Sequence, residues 1–205
     1  MADIGTFQAF LDGLESELTK MPELYQLAFG AACCERAFPN YIAFSNAEHW
    51  GDPRILRTAL DRVWEIVTGA DLVEDEIKGL ERQCHAVTPD SDDFGSVLAT
   101  AGQEASICIQ LALRLPLDHN PEHGVEISTF VRDTIDRFVQ DQMGLDPMDP
   151  KLDEKIGAHP LMRQEMERQK KDLAYLRQAA GLTDFCQQAR KIDKSNIGLP
   201  SESMG

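Results

Sequence analysis

Apolar residues recur at spacings of three and four along almost the whole chain, and prolines and glycines restart the pattern at short intervals. That is the period of an α-helix, and no stretch carries a convincing strand pattern. Elements that are apolar on one stripe must bury it, and here the only elements to bury it against are other helices. The expected fold is all-α: a single-domain helical bundle of about seven to nine helices, with helix above about 60% of residues.

The punctuation sets the expected boundaries. Phe7, Phe10, Leu11, Leu14 and Leu18 share one face of a helix over residues 4–20. Pro22 restarts the chain at a first helical turn. A second helix runs to Phe38 through Ala28, Gly30, Ala31, Ala32, Cys33 and Cys34. Small residues let neighbouring helices approach closely, so this helix is expected at the centre. Pro39 is read as its end, with Asn40 capping a short segment from Tyr41 to Ala47.

Gly51-Asp52-Pro53 reads as a cap residue followed by proline at the first turn. The helix it opens has a wide apolar stripe and ends at Gly69, and a more acidic helix follows over residues 72–86. From Phe94 to Leu115 only Glu104 and Arg114 are charged, which puts that helix in the core. Asn120-Pro121 opens another helix to Met143. A short one follows over 151–157, a highly charged one from His159-Pro160 to Ala180, and a last stretch from Leu182 to Ile192. The body thus spans 4–193, with a polar tail over 194–205.

Thirty-five acids against twenty bases give a net charge of −15. Such a field repels nucleic-acid phosphates and anionic lipid surfaces, so neither partner is expected. No window is apolar enough for a membrane span, and the N-terminus lacks a basic region before an apolar core, so a cytoplasmic location is expected. The five cysteines have no CxxC spacing and read as small core hydrophobes in a reducing compartment.

Chemical motifs are scarce. No Glu-x-x-His pair, HExxH, GxSxG, phosphate-binding loop or GxGxxG occurs. His119 and His123 straddle a helix start and have no pattern of further ligands, so no metal and no cofactor is expected. Glu104 falls near Ser96, Thr100 and Gln103, which reads as a carboxylate on a partly wet edge. The densest punctuation lies between Cys34 and Glu65. There Glu35, Arg36, Asn40, Asp52, Trp64 and Glu65, with Asp92-Asp93, could converge on one polar cluster linking helix ends. As structure these residues would cap helices, with Trp64 in the core; as function they would line a pocket for a small polar ligand.

At these residues the chain resembles the YjaG-like family, bacterial proteins grouped as a domain of unknown function. The pattern is Cys34-Glu35-Arg36, Pro39-Asn40-Tyr41, Phe44, Gly51-Asp52, Trp64-Glu65, Asp92-Asp93-Phe94 and Ser195-Asn196-Ile197-Gly198. The resemblance runs from about residue 24 to 199. It implies a cytoplasmic all-α bacterial protein and brings no catalytic residues with it. Because it includes 195–199, that part of the tail is expected to dock on the body, with Ile197 as an apolar anchor.

Binding rather than catalysis is the expected mode of action. The leading expectation is a protein-interaction or regulatory module, a homodimer or the receiver of another protein, using the peripheral helical face at 160–180. A second is a small-molecule binder or enzyme with its pocket at Glu35, Arg36, Asn40, Asp52 and Glu65. A third is an acidic inhibitor or immunity-type protein facing a basic partner. A convergent polar pocket would favour the second, and a contiguous exposed apolar patch the first.

Overall fold

A computed structural model describes residue 10, residues 13–178 and residues 181–201 of the chain. Within these residues the fold is all-α. Residues 13–18 are helical, and the rest of the helix expected over 4–20 lies largely outside the described residues. Then come α1 (Glu23–Glu48), α2 (Pro53–Val67), α3 (Glu74–Ala86), α4 (Val97–Asp118), α5 (Glu122–Met143), α6 (Leu152–Ala158), α7 (Pro160–Arg177) and α8 (Leu182–Ala189). A 3-10 turn at Ser91–Asp93 leads into α4. No strand forms among the described residues, which show only an isolated bridge between Lys194 and Pro200.

Helix α1 is the axle of the bundle. Every residue from 26 to 42 is buried, so no side of the helix faces solvent over that stretch. It packs against α2, α4, α5, α7 and α8, most extensively against α4. Small residues make those approaches possible. A Cβ on Gly102 of α4 would sit 2.9 Å from the Phe44 ring, and one on Gly30 would sit 3.1 Å from Ile127 of α5. Both contacts are tighter than side chains normally allow.

Pro39 does not end α1. The helix runs on to Glu48, and the separate segment expected over 41–47 is its last turns. Proline interrupts a helix because it supplies no N–H and crowds the preceding turn, at a cost of ~3 kcal/mol or more. Here the surrounding packing outweighs it: Phe38, Tyr41 and Phe44 are all in the core. The same holds for α4, which passes Pro116 and reaches Asp118 rather than stopping at Leu115.

The caps follow the residues that signal them. Asp52 Oδ1 accepts the Arg54 N–H at 3.0 Å with Pro53 as the first helical residue. Asn120 Oδ1 accepts the Glu122 N–H at 3.1 Å. Gly51 answers two demands: its φ is +80°, and a Cβ there would fall 2.2 Å from the Tyr41 hydroxyl. That hydroxyl donates to the Val87 carbonyl at 2.5 Å, tying α1 to the end of α3.

The charged helix α7 and the short α8 lie outside the main bundle, α7 against α1 and α5 and α8 against α1 and α2. Inward, α7 presents Met162, Glu165, Gln169, Leu173 and Leu176, a mixed stripe at spacings of three and four. No helix among the described residues is long and apolar enough to cross a membrane.

Candidate functional site

The residues expected to form one polar cluster separate into several. Glu35 and Arg36 are consecutive on α1 and project about 100° apart, so each meets a different neighbour. Glu35 faces α2. Its carboxylate accepts Arg57 Nη1 at 2.8 Å and Nη2 at 2.9 Å, a two-toothed pair, and also the Trp64 indole N–H at 2.8 Å. Trp64 itself is a core side chain. Arg57 also reaches Asp61 at 2.9 Å and lies over the Phe38 ring. Arg190, the residue after α8, pairs with Asp61 and brings its Nε to 3.9 Å from Glu35. Burial opposes the Arg57 charge, but Glu35 and Asp61 outweigh it and hold the guanidinium protonated. This network is closed: each carboxylate oxygen of Glu35 has a donor.

Arg36 faces α7. Its Nε donates to Glu165 Oε1 at 3.0 Å, its Nη1 to Asp172 Oδ2 at 2.8 Å, and its Nη2 to Cys33 Sγ at 3.2 Å. Gln169 completes the layer, donating to Glu165 Oε1 at 3.0 Å and accepting the Ser128 hydroxyl of α5 at 2.8 Å. Glu165, Gln169 and Asp172 thus form one polar stripe of α7, at i, i+4 and i+7. Burial raises the Asp172 carboxyl above the usual range, against the pull of Arg36.

Outward from Arg36 the structure opens into a cleft of about 490 Å³ between α7, α8 and residues 191–194. Arg36 lies in its wall with Asp172, and Arg168, Lys171, Lys191 and Lys194 surround them. Five cationic side chains meet two carboxylates, Asp172 and Asp193, in a chain whose net charge is −15. Arg36 is nearly fully buried, Arg168 half-buried, and the three lysines exposed. Tyr175 and Phe185 supply an aromatic wall, their ring centroids 5.4 Å apart. Such a lining concentrates anions locally although the surface as a whole repels them.

Asn40, one turn beyond Arg36, makes a third arrangement. Its Nδ2 donates to Asn196 Oδ1 at 2.7 Å, and Asn196 Nδ2 donates to the Val131 carbonyl of α5 at 2.7 Å. The Asn196 backbone N–H donates to the Arg36 carbonyl at 3.0 Å. Residues 195–199 close on themselves through Gly198, whose φ is +84°, and Ile197 is buried against Ile135 and Val139. Two distant signature segments, Pro39-Asn40-Tyr41 and Ser195-Asn196-Ile197-Gly198, therefore meet face to face.

Asp52 and Glu65 stand apart. Asp52 caps α2 and pairs with Arg54, which is locally paired and exposed. Glu65 is exposed and pairs with Arg62 of its own helix. Asp92 and Asp93 are exposed in the 3-10 turn. Of the expected pocket residues, Arg36 is the one that lines this cleft.

Glu104 departs from the expectation of a wet edge. Its side chain is 4% exposed, accepts the Thr134 hydroxyl at 2.5 Å and lies 2.7 Å from Arg137 Nη1. Burial pushes its carboxyl up to about 7 against the pull of both partners. The polar spacing on α4 is real, but α5 covers it. The cysteines are buried except Cys186, which is half-buried, and burial pushes the Cys33 and Cys84 thiols up to about 12. No group of three or more potential metal-ligating side chains occurs among the described residues.

Sequence reasoning missed Arg57, Glu165, Asp172 and the basic rim, and named Asn196 only as part of a docking segment, without its partner Asn40. The α7 stripe carried a usable signal: Glu165, Gln169 and Asp172 repeat at helical spacing alongside Met162, Leu173 and Leu176. The rim carried none, because Lys191 and Lys194 reach the cleft only through the path of the chain after α8.

The family described as "Protein of unknown function (DUF416)" matches residues 13–200. Proteins named "Uncharacterized protein YjaG" are similar over 151 residues, 73% of this chain and 74% of theirs. That from Escherichia coli (strain K12) is 28% identical and that from Salmonella typhimurium 26%. The crystal structure of a DUF416 family protein from Shewanella baltica OS155 superposes with a TM-score of 0.82. It covers 91% of this chain and 97% of its own at 24% identity, a likeness of fold. The chain belongs to the DUF416 family.

Proposed function

We propose that this DUF416 protein binds a small anionic molecule in the cleft between α7, α8 and residues 191–194. The observation that carries this reading is the concentration of five cationic side chains around one 490 Å³ cavity in a chain of net charge −15. The volume falls in the range of small-molecule sites, roughly 300–1,000 Å³. Arg36 is pre-set by Glu165 and Asp172, so its guanidinium needs no ordering when a ligand arrives. The exposed lysines bring charge that local ion pairs do not cancel: Lys191 and Lys194 make no salt bridge in the described structure, and Lys171 makes only a long one, 3.7 Å, to Glu167. The large exposed apolar side chains among the described residues, Leu24, Leu72, Val73, Met143 and Met148, are spread over the chain rather than gathered at α7. That distribution favours a ligand over a docking face at 160–180.

The test is calorimetric titration of inorganic phosphate, citrate and mononucleotides into wild type and a Lys171→Glu/Lys191→Glu variant. Both lysines are exposed, so melting should stay within about 0.5 kcal/mol of wild type. Binding should weaken at least about tenfold, as the loss of charge-assisted contacts requires. Equal binding by both proteins, or no saturable binding of any anion, sinks the reading.

A further inference from the structure

The cleft's lining is more selective than positive charge alone. Resting on the anion-binding reading above, we propose that its ligand is a nucleoside monophosphate, with the phosphate at the Arg168–Lys171–Lys191 rim and the base against Tyr175. Three features of the lining converge on that class.

The first is charge. Arg36 is held in place in the wall by Glu165 and Asp172, and Arg168 and three lysines add cations that those two carboxylates do not answer. Several cations on one rim suit a dianionic phosphoryl group better than a single carboxylate, since the Arg fork and the lysine point charges can share its oxygens. The second is the aromatic wall. Phe185 is buried and backed by Trp64 at 6.3 Å, and it packs beside Tyr175 at 5.4 Å between centroids, tilted by 37°. Tyr175 is half-buried and lines the cavity, a supported platform for a flat ring rather than a mobile surface tyrosine. The third is the pair of amides, Gln164 and Gln188, on the same lining. Each offers a donor and an acceptor together, the combination that a base edge presents in return. A phosphate with no ring would leave both amides and the tyrosine unused, and a ring with no phosphate would leave the basic rim unanswered.

Four probes separate these contributions: inorganic phosphate, ribose 5-phosphate, adenosine and the set AMP, GMP, CMP and UMP, titrated by calorimetry into the full chain. At least one of the four nucleotides should bind about tenfold or more tighter than ribose 5-phosphate, the range that base stacking supports. Adenosine should bind more weakly than any nucleotide that binds. Tyr175→Leu should remove the nucleotide's advantage over ribose 5-phosphate while leaving the affinity for ribose 5-phosphate unchanged, a split that a merely destabilised protein would not show. Lys171→Glu/Lys191→Glu should weaken both. If the simple phosphates bind and the charge reversal weakens them, yet no nucleotide is tighter, the nucleotide assignment is overturned and the anion site stands. If nothing binds, or the charge reversal changes nothing, both are overturned.

Discussion

Glu35 and Arg36 are neighbours in sequence, both more than nine-tenths buried, and both ion-paired across helices. Their surroundings differ in one respect. Glu35 is closed in by Arg57, Trp64 and Arg190, whereas Arg36 sits in the wall of the basic cleft. A buried ion pair therefore says little about function on its own; what lies on its far side decides. Pairing stabilises against loss of one partner in both places, but only the open arrangement has somewhere for a ligand to go.

Truncating either residue gives the largest expected effect. Glu35→Ala leaves Arg57 half-answered and the Trp64 N–H without an acceptor, and Arg36→Ala leaves Glu165 buried without its cation. Each should cost ~3–5 kcal/mol by urea denaturation, the usual result of breaking one side of a buried pair. Ligand binding separates them. At low temperature, folded Glu35→Ala protein should bind phosphates within about twofold of wild type, since Glu35 is not part of the cleft lining and reaches it through Trp64 behind Phe185. Arg36→Ala should lose binding even where it remains folded. Equal loss in both would show that the two networks act as one.

The Asn40–Asn196 pair comes next and tests a different kind of closure. Each amide is buried and fixed by the other, so Asn40→Ala or Asn196→Ala should cost ~1–3 kcal/mol, the penalty of an unsatisfied buried polar group. A double variant should cost less than the sum of the singles, because each single change already breaks the shared bond. Hydrogen exchange at residues 195–199 should quicken in both. Unchanged protection there would mean that Ile197 alone anchors the segment.

How much of this was legible in the sequence depends on range. The helical period, the Asp52-Pro53 and Asn120-Pro121 starts and the centrality of the small-residue helix are local properties, and local spacing revealed them. Pro39 misled because a proline's cost is local, whereas the contacts of Phe38, Tyr41 and Phe44 that offset it come from three other parts of the chain. The candidate site suffered the same way. Adjacent charges in a signature invite grouping, but a helix turns them 100° apart, so the partners of Glu35 and Arg36 lie 22 and 129 residues away. Glu104 was misplaced because the polar spacing on its helix does not say that α5 will cover it.

Glu104 adds a third buried carboxylate to the comparison, one held by Thr134 and a half-exposed Arg137 rather than by a buried fork. Its folded carboxyl titrates at about 7, above the ordinary 4.5, so the folded chain holds a proton that the unfolded chain releases. Its stabilising contribution is full below about pH 4.5 and is lost as pH rises to about 7, with no further change above. The loss should be on the order of 1–3 kcal/mol. Glu104→Gln should flatten urea stability across that window. An unaltered pH profile in that variant would assign the slope to other groups.

The smallest effects belong to two carboxylates whose ion pairs lie near the surface. Asp52→Ala removes the α2 cap and should cost ~0.5–2 kcal/mol, the usual value of a side-chain cap, with the adjacent Pro53 still favouring the helix start. Glu65→Ala removes an exposed i,i+3 partner of Arg62, which keeps Glu76 at 3.0 Å and the Asp71 carbonyl at 2.7 Å. The expected change is within about 0.5 kcal/mol, and nucleotide or phosphate affinity should not move. Glu35 and Glu65 both pair with an arginine, but Glu35 is enclosed and also accepts the Trp64 N–H, so this variant sets an exposed pair against an enclosed one. If Glu65→Ala were as damaging as Glu35→Ala, pairing rather than enclosure would govern, and the contrast between the closed and open sides of α1 would lose its basis.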